Sequence, residues 1–282
     1  MRSYKRTRLS LRWRLFAAVL AVFVVASGGA AFAQSARTAK AELGSETAKN
    51  GFKNEDDIKA KFINWRSDTD AQSWLGVLGY KLSAVDSILV TKPHREKADI
   101  EVTIKTKNSS KTEGISIKLV SSPNGFNQID KRWLSHYAAM WKMPVDVQGA
   151  LKLFVGETPP VKQGRSSGRM FLDELDTDAQ KAVIKFFESH KAEIVSDLFQ
   201  GDGPHAAGWV MVAFKATSNT RWTLKCVEDV IRFYSNGPVT ITSGGNLKIG
   251  RITMQRKGGD GGRDTAKMLQ FKINPNLSFE VR

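Results

Sequence analysis

The sequence predicts an α/β domain, on three observations. Residues 97–122, KADIEVTIKTKNSSKTEGISIKLVSS, hold two alternating segments, Asp99 to Lys105 and Gly114 to Val120, with the period of paired β-strands. Several other stretches repeat apolar residues at helical spacing, with strand-like runs between them. The composition, 41% hydrophobic and 25% charged over 282 residues, is that of a chain able to bury a sizeable core.

In chain order, MRSYKRTRLSLRWR is basic, LFAAVLAVFVVASGGA is apolar, and AFA before Gln34 supplies small residues. This three-part pattern makes 1–33 a secretory signal-like segment, with an uncleaved anchor as the competing reading. Residues 34–50 are a polar linker or arm, and 51–282 form one domain. Asn54 is placed to cap a helix whose first turn holds Glu55, Asp56 and Asp57, with Ile58, Phe62 and Trp65 on one face. A second helix fits Asp68 to Leu78, and SILV at 87–90 is a further strand. The run 129–142 is an amphipathic helix presenting Trp133, Tyr137 and Met140, aromatics read as core packing. Residues 145–157 are helical, VKQGRSSGRM is a basic loop read as a linker, and 176–200 hold one long helix or two behind an Asp/Thr cap. GWVMVAFKA and TRWTLK are strands, VEDVIRFY is a helix, and the remainder is strands and glycine turns.

Net charge is +15. Six basic residues and no acid lie in 1–34, so the remainder still carries +9. That excess favours a polyanionic partner, nucleic acid before membrane. Cys226 is the only cysteine, so neither an intramolecular disulfide nor a cysteine-rich zinc site can form; its apolar neighbours suggest a small core residue. The four histidines are scattered without a metal-binding spacing, which speaks against zinc hydrolysis and a Ser-His-Asp triad.

Phosphodiester hydrolysis needs a cation to neutralise the phosphate, an oriented water, and a positive group near that water. Asp99 opening one strand, and Ser116 and Lys118 two apart on the next, can meet on one face and supply these roles. The alternative is a solvated hairpin. Lys118 inside ISIKLV is poorly placed for solvation, and the acid-rich helix could bring Glu55 to a metal.

The Asp99/Ser116/Lys118 trio resembles the PD-(D/E)XK nuclease superfamily. Longer runs, ELGSETAKNGFKNE (42–55), ISIKLVSSPNGFNQIDKRWLSHYAAMWK (115–142) and GRITMQRKGGDGGRDTAKMLQFKI (250–273), resemble the type II restriction endonucleases that recognise GCGC and, more distantly, the CCGG-cutting enzyme. The resemblance implies a central mixed β-sheet flanked by helices, and a Mg²⁺-dependent endonuclease that cuts a short palindromic site in double-stranded DNA. It implies Asp99 and Ser116 as metal ligands with the Ile117 carbonyl, Lys118 acting on the attacking water, and Glu55 as an outer contributor. It further implies a cognate DNA methyltransferase as genetic partner and, from the palindrome, a possible homodimer. The chain departs from the pattern at Ala98, where the superfamily has proline, and at Ser116, where GCGC relatives have glutamine.

The C-terminal run from Asn246 holds eight basic residues against three acids, with glycines at 258, 259, 261 and 262. Arg251, Arg256, Lys257, Arg263, Lys267 and Lys272 suit phosphates or guanine, Gln255 and Gln270 suit base edges, and Asp260 suits cytosine N4. GFNQIDK, taken as a loop beside the cut strand, offers Gln128 to a groove or the base stack and Lys131 to a phosphate. The alternatives are a DNA-binding protein without catalysis, or an exported nuclease that degrades external DNA. The signal-like segment points to a periplasmic or secreted protein, whereas the family resemblance implies the cytoplasm.

Overall fold

The computed structural model describes residues 46, 49–94, 96–122, 125–259 and 262–281. The signal-like segment 1–33, most of the arm 34–50, and Asp260 lie outside the described residues. Both sheets and all the helices named below belong to the larger of two compact units, Ala48–Gly258 with Asp264–Arg282.

The first sheet has the order β1-β2-β3-β5-β6, built from Val85–Thr91, Ile100–Thr106, Ser110–Val120, Trp209–Phe214 and Arg221–Cys226. It is mixed: β3 and β5 run parallel, and the other pairs are antiparallel. The parallel pair is joined by a long crossover carrying α3 (Leu134–Met140), α4 (Val145–Val155), α5 (Thr177–Ser189) and α6 (Lys191–Phe199). The second sheet, β4-β10-β9-β8-β7, is wholly antiparallel and consists of Asn127–Arg132, Leu269–Ile273, Ile252–Arg256, Leu247–Ile249 and Val239–Ile241.

Helices α1 (49–63) and α2 (Thr69–Val77) cover one face of the first sheet. Ile58, Phe62, Trp74 and Leu75 pack there against Ile100, Val102, Ile115 and Met211. The larger core lies between the second sheet and the crossover helices with α7 (Val227–Ser235). Tyr137 stacks on Trp141 at 4.6 Å, and both meet Phe271 of β10 edge-on, at 5.2 and 5.6 Å. Such contacts add about 0.5–1.5 kcal/mol each beyond area burial, and here they fix the second sheet on its helices.

Two caps fall where the sequence puts them. Asp68 accepts from Ala71 N at 3.0 Å, and Asp176 accepts from Ala179 N at 2.8 Å. Asn54 does not cap. Helix is already present at Lys49, so Asn54 lies inside α1 on its buried face, one turn before Ile58 and two before Phe62. Residues 127–132 are a strand and not a loop, so the helix expected from 129 begins at Leu134. Cys226 is half-buried and precedes α7, donating to Glu228 instead of packing in the core.

Candidate active site

Ile100 pairs with Ile115, so the register sets Asp99 across from Ser116. Ile115 and Ile117 face the α1–α2 side, which turns Ser116 and Lys118 to the opposite face. Asp99 joins them there. Its Oδ2 accepts from Ile117 N at 2.5 Å and Ser116 Oγ at 3.2 Å, and lies 3.6 Å from Lys118 Nζ. Lys118 Nζ also donates to Ser116 Oγ and to the Ile117 carbonyl, both at 3.0 Å. Three oxygens of different kinds thus converge on one positive charge. Ser116 is 4% exposed, and the Lys118 side chain only 17%.

These residues line a polar cleft of about 350 Å³, shared with Lys97, Asp130 and Lys131. Glu55, on α1, is not among the residues lining the cleft and pairs with Lys92 at 3.0 Å. Burial pushes the Glu55 carboxyl up and the field of Asp99 adds to it, outweighing the Lys92 hydrogen bond and Lys118.

The donor set fits a hard divalent cation. A carboxylate, a hydroxyl and a carbonyl are all oxygen ligands, and Mg²⁺ accepts one or two carboxylates with waters and phosphate oxygens completing its shell. Among the described residues no cluster of three His, Cys, Asp or Glu is assembled. The Lys118 ammonium lies within 3.6 Å of Asp99 Oδ2 and 3.0 Å of Ser116 Oγ and the Ile117 carbonyl.

Beside the cleft lies a network that the sequence did not reveal. The Asp130 carboxylate takes Lys97 Nζ at 2.8 Å, Arg132 Nε at 3.1 Å and the Tyr137 hydroxyl at 2.5 Å. Burial alone would raise its pKa; Lys97, Tyr137 and Arg132 together hold it below the usual carboxylate range. The same carboxylate pushes the Tyr137 hydroxyl further up, after burial. The spacing of Asp130 from Tyr137 would have suggested two turns of one helix, which hid a contact made across a strand–helix junction.

The expected DNA-contacting residues divide. Cross-strand pairs Lys272–Gln128, Gln270–Lys131 and Gln255–Gln270 set Gln128, Lys131, Gln255, Gln270 and Lys272 on one face of the second sheet. The other face holds Met254, Leu269 and Phe271 in the core. Gln128 is exposed, whereas Gln270 is 4% exposed and Lys272 is half-buried. Arg256 pairs with Leu269 and so points the other way, its Nε donating to Ala266 O at 3.1 Å. Arg251 is stacked on Phe233 at 4.1 Å and donates to its carbonyl. Lys267 pairs with Asp264 at 3.2 Å, Lys257 donates its backbone N–H to Met268 O, and Arg263 is exposed.

The mixed sheet flanked by helices, with Asp99 and Lys118 on neighbouring strands, is of the PD-(D/E)XK restriction-endonuclease-like class, Ser116 standing as the departure within it. The chain belongs to the R.HinP1I restriction endonuclease family, whose profile matches residues 78–279. It is a DNA-cleaving enzyme of that family, a class associated with Mg²⁺. Among solved structures, restriction endonuclease MspI in complex with its cognate DNA is similar at 12% identity, covering 77% of this chain and 83% of that one, with a TM-score of 0.49. Comparison with curated proteins gave no match.

Proposed function

We propose that this enzyme is a Mg²⁺-dependent, site-specific endonuclease that hydrolyses both strands of duplex DNA at a GCGC-like palindrome. The observation that carries the reading is the convergence of Asp99 Oδ2, Ser116 Oγ and the Ile117 carbonyl within 3.6 Å of Lys118 Nζ, in a cleft also lined by Lys131. Asp99, Ser116 and Ile117 would hold the ion, with Glu55 reaching it through water. Bound there, Mg²⁺ supplies charge neutralisation at the scissile phosphate.

The chain's own residues do the rest. Lys131 holds a phosphate beside the cleft and sets the duplex in register. The Lys118 ammonium orients the attacking water and stabilises the negative charge that develops on it. One phosphorus–oxygen bond forms to water while one breaks to a sugar oxygen, which leaves with a proton. Gln128 and Gln255 share the face that meets base edges and Lys272 adds positive charge to it, whereas the buried Gln270 on that face would reach a base only if its surroundings opened. Arg251 and Lys267 are committed within the fold, so their expected DNA contacts would need those pairings to open. The cognate methyltransferase and a homodimer remain part of this reading as genetic and physical partners.

Digestion of a sequenced plasmid with Mg²⁺, followed by end mapping, tests it. Discrete linear fragments ending at one short palindrome are expected, with protection when that site is methylated. Salt-sensitive binding without cleavage in Mg²⁺ or Mn²⁺ would instead assign the scaffold to DNA binding alone.

A further inference from the structure

The ion pair of Lys97 with Asp130 lines the cleft and takes no part in holding the ion, the water or the duplex. Lys97 lies two residues before Asp99, just ahead of β2, and both side chains line the same cleft. Its Nζ donates to Asp130 Oδ2 at 2.8 Å and to the Leu198 carbonyl at 2.9 Å, with side-chain exposures of 13% and 7% for the ion pair. The stem is gripped as well. Gly201 has φ +69°, and a Cβ there would come 2.9 Å from Lys97 Cβ. The backbone between is fixed: Ala98 N donates to His205 O at 3.1 Å, and Asp99 N to Ile115 O at 2.9 Å.

The other end of the pair is on β4, the strand that carries Gln128 and Lys131. A bulge at the β4–β10 register shift, between Phe271 and Lys272, lets Gln128 and Lys131 face the duplex side while Asp130 turns inward. The segment presenting Asp99 and the strand presenting Lys131 belong to different sheets, and this ion pair joins them.

We infer that Lys97 is a positioning residue, which through Asp130 ties the seating of the duplex on β4 to the placement of Asp99 at the scissile phosphate. This rests on the proposed roles of Asp99 and Lys131. The contact is an ion pair in a nearly closed site, so it resists stretching, and a shift of β4 is passed to residues 97–99 and not absorbed between the sheets. Its value to the reaction is geometric: a misplacement of about 1 Å can cost on the order of 100-fold in rate.

Full-length protein carrying Lys97→Met or Lys97→Arg tests the inference, with thermal melting to confirm that each variant is folded. Metal-free binding to a cognate duplex should be unchanged within about threefold for both. The single-turnover rate at saturating protein should fall at least about tenfold in Lys97→Met and recover to within about threefold in Lys97→Arg. A folded Lys97→Met that reaches the wild-type rate overturns the inference, as does a loss confined to affinity. Amide hydrogen exchange gives a readout independent of cleavage. Duplex binding should slow exchange at residues 98–101 in the wild type and not in Lys97→Met, and equal protection in both would overturn the coupling. A wild type that never cuts would sink the endonuclease reading, and the exchange comparison would still decide this one.

Discussion

At the scale of single residues, Ser116 is where chemistry and sequence pattern diverge. Its hydroxyl donates to Asp99 and accepts from Lys118, so it completes the trio with a neutral oxygen on a short stem. Ser116→Gln extends an amide oxygen toward the cleft, and we expect cleavage to rise by roughly tenfold, read as single-turnover rate against Mg²⁺ concentration. Asp99→Asn should lower the rate by about 10²–10³-fold while metal-free duplex binding persists, because its carboxylate supplies charge and not DNA affinity. Asp130 yields a stability prediction. Burial disfavours its charge, yet Lys97, Tyr137 and Arg132 hold its pKa below the ordinary value. A depressed carboxylate stabilises the fold above its unfolded pKa, about 3.9, and that contribution is lost as pH falls through the folded value. Urea midpoints should therefore drop steeply in acid for the wild type and less steeply for Asp130→Asn. Tyr137→Phe removes a hydroxyl from this buried carboxylate and should cost about 1–3 kcal/mol at neutral pH.

At the scale of elements, regular patterns were legible and exceptions were not. β2 alternates strictly at its buried positions, β3 sets the apolar Ile115 and Ile117 two apart on one face, and Asp68 and Asp176 sit where caps belong, so these elements could be read directly. β4 could not: NQIDKR has one apolar residue in six, and its register shifts against β10. Its pairing partner lies more than a hundred residues away in sequence, which local pattern cannot supply. The trio was legible because all three side chains follow from one hairpin register; the Lys97–Asp130 pair spans two sheets and was invisible. The segment 161–170, read as a linker, is also more tightly held than its composition suggests. Glu174 accepts from Phe171 N at 2.8 Å, Arg165 N at 2.7 Å and Arg165 Nε at 3.1 Å. Those contacts, the Phe171 N–H first, bring its pKa down to about 2. The loop's attachment is present above the usual glutamate range and is lost as pH falls towards that value. Glu174→Ala should accordingly speed limited proteolysis within 164–169 at neutral pH without changing the cleavage rate.

At the scale of the whole molecule, the excess of positive charge named the partner's sign but not where it binds. The chain carries 43 Lys and Arg against 28 Asp and Glu, and charge alone would make any exposed lysine an equal phosphate contact. The second sheet breaks that equivalence. One face is packed on the helices, and the other carries Gln128, Lys131, Gln255, Gln270 and Lys272. Lys181 lies on α5, behind the packed face, and is 74% exposed beside Asp178. Lys131 lines the cleft with Asp99 and Lys118. Replacing a phosphate contact removes one released counterion, whereas replacing a base contact does not. Lys131→Ala should reduce the slope of log affinity against log salt by about one and weaken all duplexes alike. Gln128→Ala should leave the slope unchanged and narrow the gap between specific and non-specific binding by about 1–3 kcal/mol. Lys181→Ala should change neither quantity. Titrations of a cognate and a scrambled duplex at several salt concentrations measure all three. Equal slope changes for Lys131→Ala and Lys181→Ala would mean that diffuse charge, and not this sheet face, binds DNA.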